Sequence, residues 1–253
     1  MIKYGLKLWT NNVSLFKKAI ELYNRKKFDF IELYNDPSCA HDYKALSALE
    51  DILITIHNIN NQGFHEFIIK KKQLRIWAKT VELADFFNSP YIIIHPGQNH
   101  AFESFEQNIK KINDERILIE NMPGLDVFGQ IMYGQRLSEL KQINRVKNIC
   151  FDFEKAIKAA RYQDIDYKKF IRECIAELTP FYFHISGGDK NNPIDEHKNL
   201  WESNFDFKWI KNALNKVSTK KDIFLVFESL RTTNSLKNDI QNIDYFKNLK
   251  KYG

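Results

Sequence analysis

Short apolar runs of strand length recur along the chain, each ending in polar residues and each followed by a stretch with apolar residues at helical spacing. The runs lie at 4–8, 30–34, 52–56, 91–94, 117–119, 149–153, 181–185 and 223–227. Helical patterns lie between and after them, near 13–26, 43–49, 64–87, 102–112, 135–143, 155–160 with 167–178, 207–217 and 236–249. Leu74, Trp77, Val81 and Ala84 mark the apolar face of the third of these. The clearest run is Arg116-Ile-Leu-Ile-Glu-Asn-Met-Pro-Gly124, a buried strand that delivers Glu120 and Asn121 at its end before Pro123 and Gly124 turn the chain. Apolar runs bounded by turn residues fit parallel strands covered on both faces. Eight strand–helix pairs without a linker or a shift in composition predict one α/β domain over 1–253, a closed (β/α)8 barrel rather than a doubly wound sheet.

Composition narrows this only slightly. A chain of 253 residues suits a single barrel of about 250. Cys39, Cys150 and Cys174 are odd in number and lack metal-ligand spacing, which points to a reducing compartment. Cys150 reads as a small buried hydrophobe. Met1-Ile-Lys-Tyr-Gly lacks the apolar core of a signal peptide, and no run nears the roughly 20 residues of a membrane span. A cytoplasmic protein without a membrane partner is expected. The excess of 38 Lys+Arg over 32 Asp+Glu gives a net charge of +6, compatible with nucleic acid or phosphorylated small molecules and diagnostic of neither.

The polar tips carry the chemistry. Predicted strand ends bear Glu32, His57, His95, Glu120, Asp152, His184 and Glu228, and Asp195 and His197 lie in the loop after the seventh strand. A barrel of this kind gathers its strand ends at one mouth, where its active site sits. Imidazole and carboxylate together suit Zn²⁺, Mn²⁺ or Fe²⁺, whereas Mg²⁺ prefers oxygen and water. A cation also lets several carboxylates approach one another. Each group has a structural alternative: His95 can bond its own loop before Pro96-Gly97, and Glu228 can pair with Arg231.

Taken in order, Tyr91-Ile-Ile-Ile-His-Pro-Gly97, Ile117-Leu-Ile-Glu-Asn-Met-Pro-Gly124, Ile149-Cys-Phe-Asp-Phe153, Phe183-His-Ile-Ser186 with Asp195-Glu-His197, and Phe224-Leu-Val-Phe-Glu228 resemble the xylose-isomerase-like TIM-barrel superfamily along the whole chain. That superfamily includes sugar isomerases and epimerases and the endonuclease-IV-type AP endonucleases. The resemblance implies one divalent ion, Mn²⁺ or Zn²⁺ first with Mg²⁺ or Fe²⁺ as further candidates, on Glu120, Asp152, His184 and Glu228. It also implies that Glu120 and Glu228 serve as acid and base. In the endonucleases, residues matching His57, His95, Asp195 and His197 complete a three-zinc cluster in which the Glu120 equivalent bridges metals. Where both groups of relatives place a histidine three residues after the strand-six aspartate, this chain has Lys155, which cannot ligate zinc as an ammonium.

These readings predict a metal-dependent isomerase or epimerase acting on a sugar-like small molecule through an enediolate, with Lys155, Lys190 and Trp9 as substrate contacts. A zinc AP endonuclease acting on DNA is the alternative, and a metal-binding barrel without catalysis is a weaker one. Against DNA, the loop at 58–63 lacks an aromatic wedge and the loop at 35–40 lacks an arginine for the minor groove.

Overall fold

The computed structural model describes residues 1–35, 40–58, 71–97, 102–231 and 234–250. Eight parallel strands close into a barrel in sequence order, β1 pairing with β8. They are β1 (Ile2–Trp9), β2 (Phe30–Asn35), β3 (Ile54–Asn58), β4 (Ile92–Ile94), β5 (Ile117–Glu120), β6 (Asn148–Asp152), β7 (Tyr182–Ile185) and β8 (Ile223–Phe227). Between and after them run α1 (Val13–Asn24), α2 (Tyr43–Leu46), α3 (Lys71–Phe86), α4 (Phe102–Ile112), α5 (Leu137–Asn144), α6 (Phe153–Tyr162), α7 (Tyr167–Leu178), α8 (Phe207–Ser218) and α9 (Lys237–Asn248). This is the expected (β/α)8 architecture.

Most boundaries shift by a residue or two from the sequence reading, and three differences have a visible cause or consequence. β3 starts at Ile54 rather than at 52, so His57 lies within the strand and not beyond it. Phe153 opens α6 instead of closing β6, because the Asp152 side chain accepts the Lys155 N–H and caps the helix. The second helix is a single turn continued by a 3₁₀ turn over Ser47–Leu49. The first part of the long helix expected over 64–87, and the two loops weighed against DNA, fall largely outside the described residues.

Side chains alternate between the two faces of a strand, and the alternation builds the barrel from two materials. Outward residues such as Ile31, Leu33, Ile92, Ile119, Phe151 and Phe183 pack with the helices in the large core. Inward residues Phe30, Ile93, Leu118, Cys150, Tyr182, Phe224 and Val226 form a separate cluster that fills the lumen, with Tyr91 and Phe181 packed against it. Phe224 stacks on Tyr182 with centroids 5.6 Å apart, and Phe30 meets Phe224 edge-on at 5.2 Å. Gly5 makes room for this plug, since a Cβ there would stand 2.5 Å from the Phe30 ring. Nearer the C-terminal mouth the same inward positions turn polar. The residue two places after Ile93 is His95, after Leu118 Glu120, after Cys150 Asp152, after Tyr182 His184 and after Val226 Glu228.

Candidate metal centre at the barrel mouth

The buried strand ends bring Glu120, Asp152, His184 and Glu228 together, with one donor atom of each inside a set mutually within 4.8 Å. His184 Nδ1 lies 2.8 Å from Glu120 Oε1 and 3.0 Å from Glu228 Oε1. On the other side of Glu120, Oε2 lies 3.3 Å from His57 Nε2 and 2.7 Å from His95 Nε2, a second group of donors within the same separation. Glu120 is therefore shared, one oxygen to each group. Asn121 fixes this end of the sheet: its Oδ1 accepts the Asp152 N–H at 2.6 Å, and its Nδ2 donates to the Asp152 carbonyl at 3.0 Å.

Asp195 and His197 reach the rim from the loop after β7, paired through His197 Nε2 at 3.1 Å. His197 Nδ1 lies 3.9 Å from Glu228 Oε2, and its backbone takes a positive φ of 51°. Such a conformation costs a non-glycine residue about 1–3 kcal/mol and needs a surrounding that imposes it. Glu154, buried in the first turn of α6, provides one. Its carboxylate accepts the Glu196 N–H at 2.9 Å, the His197 N–H at 3.0 Å and the Ser186 hydroxyl. The fully buried Lys158 donates to the Asp189 carbonyl and to Glu196 from the same helix.

Several groups were not singled out from the sequence, or were noted without a role. Glu32 Oε2 lies 3.0 Å from His184 Nε2 and accepts the Tyr182 hydroxyl at 2.7 Å, which leaves Nδ1 facing Glu120 and Glu228. A carboxylate on the far nitrogen is what orients a metal-ligating histidine. Tyr34 donates its hydroxyl to Glu228, and buried Lys7 donates to the Glu228 carbonyl at 3.0 Å while lying over the Tyr34 ring. Trp9 stands on the rim, half-buried, with its ring 5.4 Å from that of Tyr34. Lys190 is exposed on the β7 loop, with its N–H bound to Asn204 Oδ1. Arg231 pairs with Asp239 at 2.6 Å, so the alternative partner for Glu228 is taken.

Lys155 is buried, and its ammonium lies 2.6 Å from Glu120 Oε1, 3.8 Å from Asp152 Oδ2 and 3.9 Å from Glu228 Oε2. It is the chain's own cation inside the four-residue group.

The electrostatics divide the acids. Burial raises the Glu120 carboxyl, but Lys155 and His184 outweigh it and hold the group well below the usual carboxylate range. Burial pushes Asp152 up to about 6 and Glu228 up to about 8. Burial alone would lower His184, yet the Glu32 and Glu120 carboxylates bring it well above the ordinary imidazole value. His95 is lowered to about 4, by burial and then by Lys155. Burial pushes the Cys150 thiol up to about 12, so it stays a thiol at the foot of the site.

The donors fit a metal ion. Ligand atoms about 2.0–2.1 Å from a tetrahedral ion stand roughly 3.3–3.4 Å apart, so the 2.7–3.3 Å separations of the ion-free site would widen by a few tenths of an ångström around one. Asp152 Oδ2 and His57 Nδ1 are buried without a hydrogen bond among the described residues, and the Lys155 ammonium stands 3.8 Å from that Asp152 oxygen. A buried carboxylate oxygen in that condition is costly unless a cation meets it.

The sequence matches no known protein-family model and no curated protein. Solved structures do match in fold. Endonuclease IV from Thermus thermophilus superposes with a TM-score of 0.72 at 18% identity, covering 97% of each chain. A D-tagatose 3-epimerase-like protein gives 0.68 at 15% identity, covering 97% of this chain and 96% of that one. A 3-keto-D-glucoside 4-epimerase from E. coli gives 0.63 at 12%, covering 98% and 100%. The chain thus shares the barrel fold of these three proteins, and identities this low speak to fold alone.

Proposed function

We propose that this protein is a divalent-metal-dependent isomerase or epimerase acting on a sugar or related polyol. The observation that carries this reading is the convergence of Glu120, Asp152, His184 and Glu228 at the barrel mouth within one ion's reach. An ion held there supplies Lewis acidity toward a carbonyl and its neighbouring hydroxyl. The chain's own residues then move the proton. In the ion-free site, burial and neighbouring charges push the proton affinities of Glu120 and Glu228 in opposite directions, and the pair is assigned here as base and acid. Glu120 removes the proton beside the carbonyl and Glu228 returns one. Glu32 holds His184 in orientation, and Tyr34 and Lys7 fix Glu228. Trp9 offers an aromatic wall at the rim and Lys155 a group for substrate oxygens, while Lys190 would reach substrate only from the exposed loop.

The test is ion content followed by turnover of a panel of ketoses and aldoses. Glu120→Gln and Glu228→Gln should each reduce turnover by at least 10²-fold, the lower range for a lost general acid or base. Full activity in either variant would reject this mechanism.

A second reading, a phosphodiester hydrolase cutting DNA at abasic sites, is favoured by one observation. Glu120 presents its second oxygen to His57 and His95, so two ions could share it. Nicking of an abasic duplex in the presence of Zn²⁺ would support this reading, and intact DNA across Zn²⁺, Mn²⁺ and Mg²⁺ would remove it.

A further inference from the structure

We infer that the Lys155 ammonium is a built-in competitor for the ion in the Glu120–Asp152–His184–Glu228 group, so that an ion takes its place there only by displacing this side chain. The inference rests on the metal-centre reading above and deepens it.

The geometry sets up the competition. Nζ lies 2.6 Å from Glu120 Oε1 and within 3.9 Å of both Asp152 and Glu228. An ion bonded to the same oxygens at roughly 2.0–2.2 Å claims that volume. The two cations also claim the same negative charge, and an ammonium this close to a divalent ion repels it in a site shielded from water. Lys155 is anchored in the first turn of α6 by its N–H to Asp152 Oδ1 at 2.8 Å, so the displacement we infer turns its flexible four-carbon stem. The direct contacts of the ammonium fall on one side of the site, because His57 and His95 approach the opposite oxygen of Glu120. Without an ion, Lys155 spares the carboxylates an unpaired burial. With one, the side chain is released toward the mouth, where substrate oxygens would arrive.

The experiment is calorimetric titration of metal-free protein with Zn²⁺ and with Mn²⁺ at constant pH, with circular dichroism as the check on folding. Lys155→Met, similar in length and neutral, should bind the ion at least tenfold more tightly than wild type. Lys155→Arg, which keeps the charge, should show no such gain, and adding Asp152→Asn to Lys155→Met should abolish it. Equal affinities in wild type and Lys155→Met, with an ion bound in both, would overturn this inference while leaving the metal centre standing. Absence of binding in both proteins would overturn the metal centre and this inference with it. Should Lys155→Met fail to fold, wild type alone decides. The carbon-13 signal of the Lys155 ε-methylene should move on stoichiometric addition of Zn²⁺, and a bound ion that leaves it in place would refute the displacement.

Discussion

Gly5 shows how much one residue decides here. A methyl group at this position would stand 2.5 Å from the buried ring of Phe30, which packs in the lumen cluster. Gly5→Val should therefore cost about 1–3 kcal/mol through overpacking. That would lower the melting temperature by several degrees with the ion-binding residues untouched, as differential scanning calorimetry would register. Lys155 is expected at the site only through the family resemblance, and its burial is not legible in the local sequence. A lysine in the first turn of a helix is ordinarily solvated, and nothing local distinguishes this one. Its burial follows from three carboxylates arriving from β5, β6 and β8. Lys7, Tyr34 and Tyr182 were hidden for a related reason: a strand apolar on both faces gives no clue to which face lines the lumen.

Among the elements, β5 and β8 are legible because their apolar runs stop at a charged residue, which is where the barrel opens. β3 was harder, since Ile52 continues its apolar run although it belongs to the preceding turn, its N–H bound to the Leu49 carbonyl. The start of α6 was misplaced because Asp152 serves both as the end of a strand and as a helix cap. A comparison separates these roles. Asp166 caps α7 through the Lys169 N–H at 2.7 Å, away from the site. Asp166→Ala should cost about 1 kcal/mol and leave ion affinity unchanged. Asp152→Ala should lower both thermal stability and ion affinity, as melting curves with and without Zn²⁺ would reveal.

For the whole molecule, the acids and imidazole of the mouth tie ion binding to pH. Glu228 at about 8 and His184 well above its ordinary value hold protons near neutral pH that an ion must expel, and Asp152 at about 6 takes one up as the pH falls. Because the ion binds the deprotonated ligands, its affinity should fall as pH drops from about 8 toward 6, with protons released on binding. Calorimetry in buffers of different ionisation enthalpy would count them, and an affinity flat across that range would contradict the arrangement. The aromatic plug of Phe30, Tyr182 and Phe224 has a further consequence. Among the described residues it fills the lumen below the site, so ion, water and reactant approach from the C-terminal mouth. Whatever comes in first lies deepest and leaves last, and a bound reactant becomes the stopper over the ion beneath it.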